Sequence, residues 1–177
     1  MALDETGRRP SRQRDGFDGV FLKEWPRVVR VAQQITHSPS RSEEVAQEVF
    51  LAFYRRFGDE LPEHAGAWLY RAAAHAALND VRGEGRRRLR EAREARMEDP
   101  SVPDPGELVA AREEVGTLRQ ALARLREAEA TLLALRFSGL SYNEIAQTLD
   151  VPVSQIGTRL RRAELRLRKE MDHVARA

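Results

Sequence analysis

Apolar residues recur at helical spacing through two long stretches of the chain, and no segment alternates between apolar and polar positions as a strand would. Pro26 is predicted to lie in the first turn of a helix, where no N–H is needed. Ser40 to Glu43 follows Pro39 with the spacing of a capping box and predicts the start of another helix. The first stretch runs from Phe17 to about Arg90, with apolar positions at Phe21, Trp25, Val28, Ala32, Ile35, Val45, Val49, Phe53, Phe57, Leu69, Ala72, Ala76 and Val81.

The helical pattern stops between Glu91 and Gly106, where three prolines fall within six positions and large apolar residues are few. It resumes at Leu108 and continues to Phe137 and beyond. The sequence therefore predicts an all-α protein of two small helical domains, residues 17–90 and 107–177, joined by a flexible linker at 91–106. Residues 1–16 are polar and are predicted to form a flexible N-terminal tail.

Composition narrows the class of protein. A chain of 177 residues with 41% hydrophobic content can bury a modest core or two smaller ones, which disfavours a single large enzyme fold. The absence of cysteine excludes disulfides, thiolate nucleophiles and cysteine-ligated zinc. No apolar run approaches the roughly 20 residues that cross a bilayer, and the N-terminus lacks the apolar core of a secretion signal, so a cytoplasmic location is expected.

Residues 141–171 have the layout of a helix-turn-helix. Ser141 and Glu144 have capping-box spacing, and Gly139 suits the end of the preceding helix. A short helix follows, with small Ala146 allowing close approach of its partner helix, and it breaks at the segment containing Pro152. This spacing of cap, small residue and proline break is typical of a DNA-binding motif.

The second helix of this motif is strongly basic. Between Ser154 and Glu170 there are five arginines and one lysine against two glutamates, a net charge of +4, although the whole chain carries only +2. Such a helix can enter a major groove with polar side chains at base edges and arginines against phosphates. The alternative is a solvated amphipathic helix with weak intrahelical ion pairs. The preceding cap and break favour DNA binding.

Three segments together resemble a known family. Residues 121–171, "ALARLREAEATLLALRFSGLSYNEIAQTLDVPVSQIGTRLRRAELRLRKEM", resemble the C-terminal promoter-binding region of bacterial sigma factors of the extracytoplasmic-function (ECF, group IV) type in the sigma-70 superfamily. "SEEVAQEVFLAFYRRF" resembles the helix of that group that binds core polymerase, and "AWLYRAAAHAALNDVRGEGRRRLR" resembles the adjoining helix that reads and opens the promoter. The similarity extends from Phe17 to Met171 in the expected order.

The resemblance implies a protein that is not itself an enzyme but binds core RNA polymerase, recognises the upstream (−35) and melting (−10) promoter elements and helps to open the duplex. It implies no cofactor, and an anti-sigma factor is a further partner expected from the family. For the upstream element, the implied DNA-binding residues are Ser141, Tyr142, Ser154, Gln155, Thr158, Arg159, Arg161 and Arg162. For the melting element they are Trp68, Arg71, His75, Asn79, Arg82, Arg86 and Arg87. The implied polymerase-binding residues are Glu44, Gln47, Glu48 and Phe50, with core packing an equal alternative for Phe50.

The sequence departs from the family pattern at five positions. Ala74 and His75 stand where arginine and asparagine are common, and Asn79 replaces a usual aspartate, so the preferred melting sequence is expected to differ. Asp150 replaces a frequent glycine at the turn, where it can adopt the left-handed conformation at some cost. Gly157 replaces a common lysine and is expected to cost helix stability and one phosphate contact.

Other chemistry has little support in the sequence. The four histidines lack metal-ligand spacing, no glycine-rich phosphate loop of recognised form is present, and no nucleophile with a base and an orienting group can be proposed. Two alternatives remain: a stand-alone helix-turn-helix transcriptional regulator, and a helical protein that uses its basic helices to hold acidic partners. The segments at 43–57 and 67–90 argue against the regulator, which needs neither.

Overall fold

The structure, a computed structural model, describes residues 12–58, 60–95 and 108–176, and this part of the chain contains helices and no strand. An all-α fold of two helical domains is therefore confirmed. The helices are α1 (Arg12–Thr36), α2 (Pro39–Phe57), α3 (Ala65–Ala95), α4 (Leu108–Arg124), α5 (Glu127–Phe137), α6 (Tyr142–Leu149) and α7 (Ile156–Val174), with a 3-10 turn at Val153–Gln155 before α7.

The N-terminal domain is a three-helix bundle of α1, α2 and α3. Its core is formed by fully buried aliphatic residues from each helix together with Phe53, as their helical spacing predicts. A series of aromatic rings closes one end of the bundle: Phe50 lies 4.9 Å from Phe21 and 5.7 Å from Trp25 between ring centroids. These contacts fix the orientation of α2 against α1, which determines the face that α2 presents to solvent.

The predicted position of Pro26 is wrong, because this residue lies inside α1 and not in a first turn. A proline within a helix removes one backbone hydrogen bond and costs about 3 kcal/mol. Leu22, four residues earlier, is 74% exposed, so the carbonyl that loses its partner lies on the solvent side of the helix. Buried residues on both sides of the proline, among them Glu24 and Val28, hold the helix together across it.

The predicted capping box at Ser40 is also wrong, because α2 begins at Pro39 and its N-cap is Ser38. The Ser38 hydroxyl accepts a hydrogen bond from the backbone N–H of Arg41 at 3.4 Å. Proline is favoured at the first helical position because its missing N–H would have had no intrahelical partner there. The proline therefore places the cap one residue before itself, and Ser40 becomes an exposed residue of the first turn.

The C-terminal domain packs α4, α5 and α6 around the inner face of α7. Leu133 and Leu135 of α5, Ile145 of α6 and Ile156 of α7 are all at most 1% exposed. They form a small aliphatic core without aromatic rings. Because α7 contributes only one narrow apolar stripe to this core, most of its surface faces solvent.

The two domains pack against each other through α1 and α3 on one side and α4, α5 and α6 on the other. The periodicity of the sequence does not predict this contact. α1 begins within the predicted N-terminal tail and α3 extends into the predicted linker as far as Ala95. The rest of both segments lies outside the described residues, and the domain boundaries at 17–90 and 107–177 remain predictions.

Candidate nucleic-acid interface

The helix-turn-helix forms as its local sequence predicts. The Ser141 hydroxyl accepts a hydrogen bond from the Glu144 N–H at 3.3 Å, and the Glu144 carboxylate accepts one from the Ser141 N–H at 2.8 Å. This backbone hydrogen bond is the main reason that the pKa of Glu144 is lowered. Asp150 ends α6 in the left-handed conformation, with φ 54° and ψ 53°, and Gly139 reaches φ 92° after α5. The capping box and the left-handed Asp150 are confirmed.

The outer face of α7 carries the polar and basic side chains. Ile156, Leu160 and Ala163 form the buried stripe of the helix. Arg159 donates to the Gln155 side-chain oxygen at 2.7 Å, which holds both side chains near the start of the helix. The residues predicted to contact the upstream element are all exposed: Ser141, Tyr142, Ser154, Gln155, Thr158, Arg159, Arg161 and Arg162.

The residues predicted for the melting element lie along α3. Arg71, His75 and Asn79 are four residues apart and exposed on one face. Trp68 is half-buried, with its ring 5.4 Å from Phe53 and 5.6 Å from Phe57, so it packs on the bundle core. Arg86 and Arg87 are exposed, whereas the Arg82 side chain is only 24% exposed.

The C-terminal domain occupies part of this α3 face. Glu127, the first residue of α5, lies 2.8 Å from His75 Nδ1, and the other ring nitrogen of His75 is 2.9 Å from the Asn79 amide nitrogen. Arg82 donates to the backbone oxygens of Ala123 at 3.1 Å and Leu125 at 3.0 Å. These residues therefore contact protein in this conformation.

A cavity of about 810 Å³ separates the two predicted DNA-binding faces. Arg71 lines it from α3, and the lining residues from the helix-turn-helix include five that are predicted to contact the upstream element: Ser154, Gln155, Thr158, Arg159 and Arg162. The structure thus brings one predicted melting-element residue opposite five predicted upstream-element residues. The sequence alone predicts separate surfaces for these residues.

The predicted polymerase-binding surface lies on α2 and needs one correction. Glu44, Gln47 and Glu48 are exposed, but Phe50 is 3% exposed and packs among the aromatic rings of the core. Phe50 fixes the helix and is not part of the exposed surface. Leu51 and Tyr54, which the sequence analysis missed, are 55% and 53% exposed on this side of the helix.

Helical spacing could have identified these two residues. Leu51 lies three positions after Glu48, and Tyr54 lies three positions after Leu51, so they continue the exposed face. Glu44 is paired with Arg41 at 2.5 Å, whereas Glu48 has no ion pair within the described part of the chain. The surface therefore presents an acidic group beside an apolar side chain.

The departures from the family pattern have different structural consequences. Ala74 is fully buried, so its effect is on packing, whereas His75 and Asn79 are exposed on the predicted melting face of α3. A Cβ atom added to Gly157 would lie 3.8 Å from the Tyr142 ring, which is an ordinary contact.

Two other types of site are absent from the described residues. Within 12–58, 60–95 and 108–176, no group of three or more histidine, aspartate or glutamate side chains is arranged to hold a metal ion. None of the helices in the same ranges is long and apolar enough to span a membrane.

Comparison with known proteins gives consistent matches along the chain. Residues 21–87 match the family described as "Sigma-70 region 2", and residues 116–167 match "Sigma-70, region 4". The chain is 31% identical to the RNA polymerase sigma-H factor of Pseudomonas aeruginosa, over 90% of this chain and 88% of that protein. It is 29% identical to the ECF RNA polymerase sigma factor SigE of Mycolicibacterium smegmatis, over 98% of this chain and 66% of that protein.

A solved structure shows the same fold. CnrH in complex with the cytosolic domain of CnrY matches with a TM-score of 0.52, covering 90% of each chain at 18% identity.

Proposed function

Since the chain belongs to the sigma-70 family of RNA polymerase sigma factors, we propose that it is an alternative sigma factor of the ECF type that directs core polymerase to promoters with two recognition elements. The chain itself performs no catalysis in this proposal. The observation that carries it is the exposed basic face of α7, built on a capped helix-turn-helix, in the same chain as the polar and arginine-bearing face of α3.

The start of α7 suits recognition of the upstream element. Gln155, which precedes α7 as its N-cap, and Thr158, in its first turn, are exposed where polar side chains can reach base edges in a major groove. Arg159, Arg161 and Arg162 follow on the exposed faces and can bind phosphates on either side. The net charge of +4 between Ser154 and Glu170 attracts any DNA duplex, whatever its base sequence. The polar side chains at the base edges distinguish one base sequence from another.

The face of α3 suits the melting element. Single-stranded DNA is bound by cationic side chains along its backbone and by polar or flat groups at its bases. Arg71, Arg86 and Arg87 provide the cations, while His75 and Asn79 provide groups that can read base edges. Trp68 packs against two phenylalanine rings and serves mainly to position the N-terminal part of α3.

The exposed face of α2 suits docking on the polymerase. Glu44, Gln47 and Glu48 provide acidic and amide groups for a basic partner helix. Leu51 adds an apolar side chain next to them, and an apolar contact surrounded by polar groups is typical of protein interfaces. Because core polymerase is cytoplasmic, this partner would place the chain in the cytoplasm. An anti-sigma factor is a further proposed partner.

Transcription in vitro tests the proposed function directly. Purified chain and core polymerase are combined on a genomic library, and transcript starts are mapped against core polymerase alone. We expect discrete start sites that share two upstream sequence elements. Tight, specific binding of duplex DNA by the isolated chain, with transcription unchanged from core polymerase alone, would instead support a stand-alone regulator.

The docking surface is tested by reversing one charge. Glu48→Lys is expected to reduce co-purification with core polymerase by about tenfold or more, because like charges at an interface cost several kcal/mol. Glu63→Lys is the control, since Glu63 is exposed but lies outside α2, in the turn before α3. Equal binding of both variants would contradict the assignment of this face.

The upstream contact is tested through salt dependence. Arg162→Ala is expected to weaken binding of the holoenzyme to duplex carrying the upstream element and to reduce the salt slope by about one. Arg168→Ala removes the same charge from the C-terminal half of α7 and serves as the control. If the two variants behaved alike, non-specific attraction by the helix would explain the binding.

A further inference from the structure

A second cavity lies between α3 and α4 and shares no lining residue with the one between the predicted DNA-binding faces. Its volume is about 550 Å³, which falls within the range of about 300–1,000 Å³ that holds small-molecule ligands. A cube of this volume has an edge of about 8 Å, whereas an α-helix with its side chains is about 10–12 Å across. The cavity therefore has the size of a small-molecule site and not of a groove for a partner helix.

Two glycines, Gly85 of α3 and Gly116 of α4, form part of the cavity wall. Both lie inside a helix, where glycine is less favourable than alanine. Close packing does not require either glycine, because a Cβ atom built on it would meet no atom beyond its own helical backbone within 4 Å. Their missing side chains instead leave space in the cavity from both helices.

The cavity lining combines an apolar surface with a strong positive charge. Val81, Ala123 and the carbon stems of the arginines supply most of the apolar surface. Four arginines line the cavity against one glutamate, Glu84, which gives the lining a net charge of +3. Low-dielectric walls strengthen the field of such charges, so the cavity attracts anions. The arginines are Arg82, Arg86, Arg119 and Arg124.

Half of these arginines have no acidic partner. Arg119 binds Glu84, and Arg82 lies 3.9 Å from a second carboxylate. Arg86 and Arg124 are exposed and form no ion pair within the part of the chain that the structure describes. An anion in the cavity would therefore find two guanidinium groups that are not already neutralised.

The side chain of Arg119 provides an independent indication of a ligand. Its Nε atom is buried and has no hydrogen-bond partner among the described residues. A buried donor without an acceptor is uncommon in native proteins and destabilises them, so such an atom calls for an explanation. Because Arg119 lines the cavity, an oxygen atom of a bound ligand can accept this hydrogen bond.

We propose that the cavity between α3 and α4 binds a small organic anion, a carboxylate joined to an apolar body. The carboxylate lies among the arginines, and the apolar body packs against Val81, Ala123 and the two glycines. Inorganic phosphate lacks the apolar body, and a neutral hydrocarbon lacks the charge, so neither satisfies the whole lining. This site is additional to the proposed function and does not depend on it.

Isothermal titration calorimetry of the full chain with matched probes tests the proposal. Octanoate carries both features, octanol keeps only the apolar chain, and inorganic phosphate keeps only the charge. We expect octanoate to bind with one molecule per chain and about tenfold or more tighter than either control. Naphthoate is the second organic anion, and the tighter of the two identifies an aliphatic or an aromatic body.

Filling the cavity should remove the site without harming the fold. Gly116→Leu is expected to weaken octanoate binding by about tenfold or more, because the new side chain occupies the apolar part of the cavity. Its Tm should be at least that of the wild type, since leucine is the better helix former. Gly19→Leu is the matched control, because Gly19 is also helical, lies on α1 and has nothing within 4 Å of its Cβ position. If Gly116→Leu unfolds, Gly85→Leu fills the cavity from α3.

Removing one charge tests the preference for an anion. Arg124→Gln should weaken octanoate binding by about threefold and leave octanol binding unchanged. Arg55→Gln removes the same charge from α2, which does not line the cavity, and should bind octanoate as the wild type does.

Three results would each overturn the inference. The first is that neither octanoate nor naphthoate binds at a single site. The second is that phosphate or octanol binds as tightly as the organic anions, which would mean that charge or apolar contact alone explains the binding. The third is that Gly116→Leu and Gly19→Leu bind octanoate equally. Transcription with core polymerase tests the proposed function separately, so failure of one leaves the other standing.

Discussion

Replacement of Tyr70 by phenylalanine tests the most deeply buried polar contact that joins α1 to α3. Tyr70 is 4% exposed and its hydroxyl donates to the carboxylate of Glu24, which is 6% exposed. Burial raises the pKa of Tyr70, and the hydrogen bond to Glu24 raises it further, so the hydroxyl remains a donor at all physiological pH values. Gly66 makes room for the pair, since a Cβ atom there would lie 3.3 Å from the tyrosine oxygen.

The expected loss of stability follows from the charge and burial of Glu24. A hydrogen bond to a charged group contributes about 1.5–3 kcal/mol, and a buried acceptor left without its donor retains its desolvation cost. Two cations lie near Glu24: Lys23, at 3.5 Å with a side chain that is 77% exposed, and Arg27, whose guanidinium is paired with Glu144, so they compensate little. We expect Tyr70→Phe to lower the free energy of unfolding by about 2 kcal/mol.

Thermal and urea denaturation, followed by circular dichroism, measure this loss. For a chain of this size, about 2 kcal/mol corresponds to a decrease in Tm of about 4–8 °C. Tyr54→Phe is the matched control, because Tyr54 is 53% exposed and its change should stay within about 0.5 kcal/mol. In the Tyr70→Phe background, Glu24→Gln should recover part of the loss, since a buried amide costs less than a buried carboxylate.

Equal stability of the Tyr70→Phe and Tyr54→Phe proteins would refute this reasoning. It would mean that water or Lys23 solvates Glu24 well enough to replace the tyrosine. A loss with no recovery from Glu24→Gln would instead assign the effect to the space left by the hydroxyl oxygen, since the variant keeps the ring that packs beneath the guanidinium of Arg27 at 5.3 Å.

Two further predictions concern single positions. Gly157→Ala should stabilise the protein by about 0.5–1 kcal/mol in urea denaturation, because alanine is the better helix former and its Cβ has room beside Tyr142; a destabilised variant would contradict the helical geometry of this residue. Burial lowers the pKa of His37 from its ordinary 6.5, and the charge of Arg119 lowers it further. The unfolded chain then binds this proton more readily than the folded chain, so stability should fall as the pH drops below about 6.5. His37→Gln should flatten that part of the stability profile, and an unchanged profile would assign the pH dependence to other groups.

Local sequence signals were sufficient for the helix-turn-helix. Ser141, Glu144, Gly139 and Asp150 act through hydrogen bonds and backbone conformations that involve residues only a few positions away. Local signals gave the wrong N-cap for α2, where two candidate capping residues competed. Ser38 and Ser40 both flank Pro39, and the proline's preference for the first helical position decided in favour of Ser38.

Burial of side chains was predicted less completely. Phe50 lies next to the exposed face of α2 in the sequence, and its burial depends on Phe21 and Trp25 of another helix. Pro26 lies within α1 because buried residues on both sides stabilise a helix that local propensity would end. Tertiary packing therefore stabilises both the buried position of Phe50 and the continuous helix around Pro26.

The amino-acid sequence alone determined the all-α class, the order of the two domains, the helix-turn-helix and the chemistry of its basic helix, because helical periodicity and capping act over a few residues. Only the tertiary structure decided that the predicted DNA-binding faces of α3 and α7 lie opposite each other and partly covered. The contacts responsible join residues 52 positions apart, as in His75 and Glu127, or 117 positions apart, as in Arg27 and Glu144. No local pattern encodes such pairs, since each residue by itself has the sequence properties of an ordinary solvated charge.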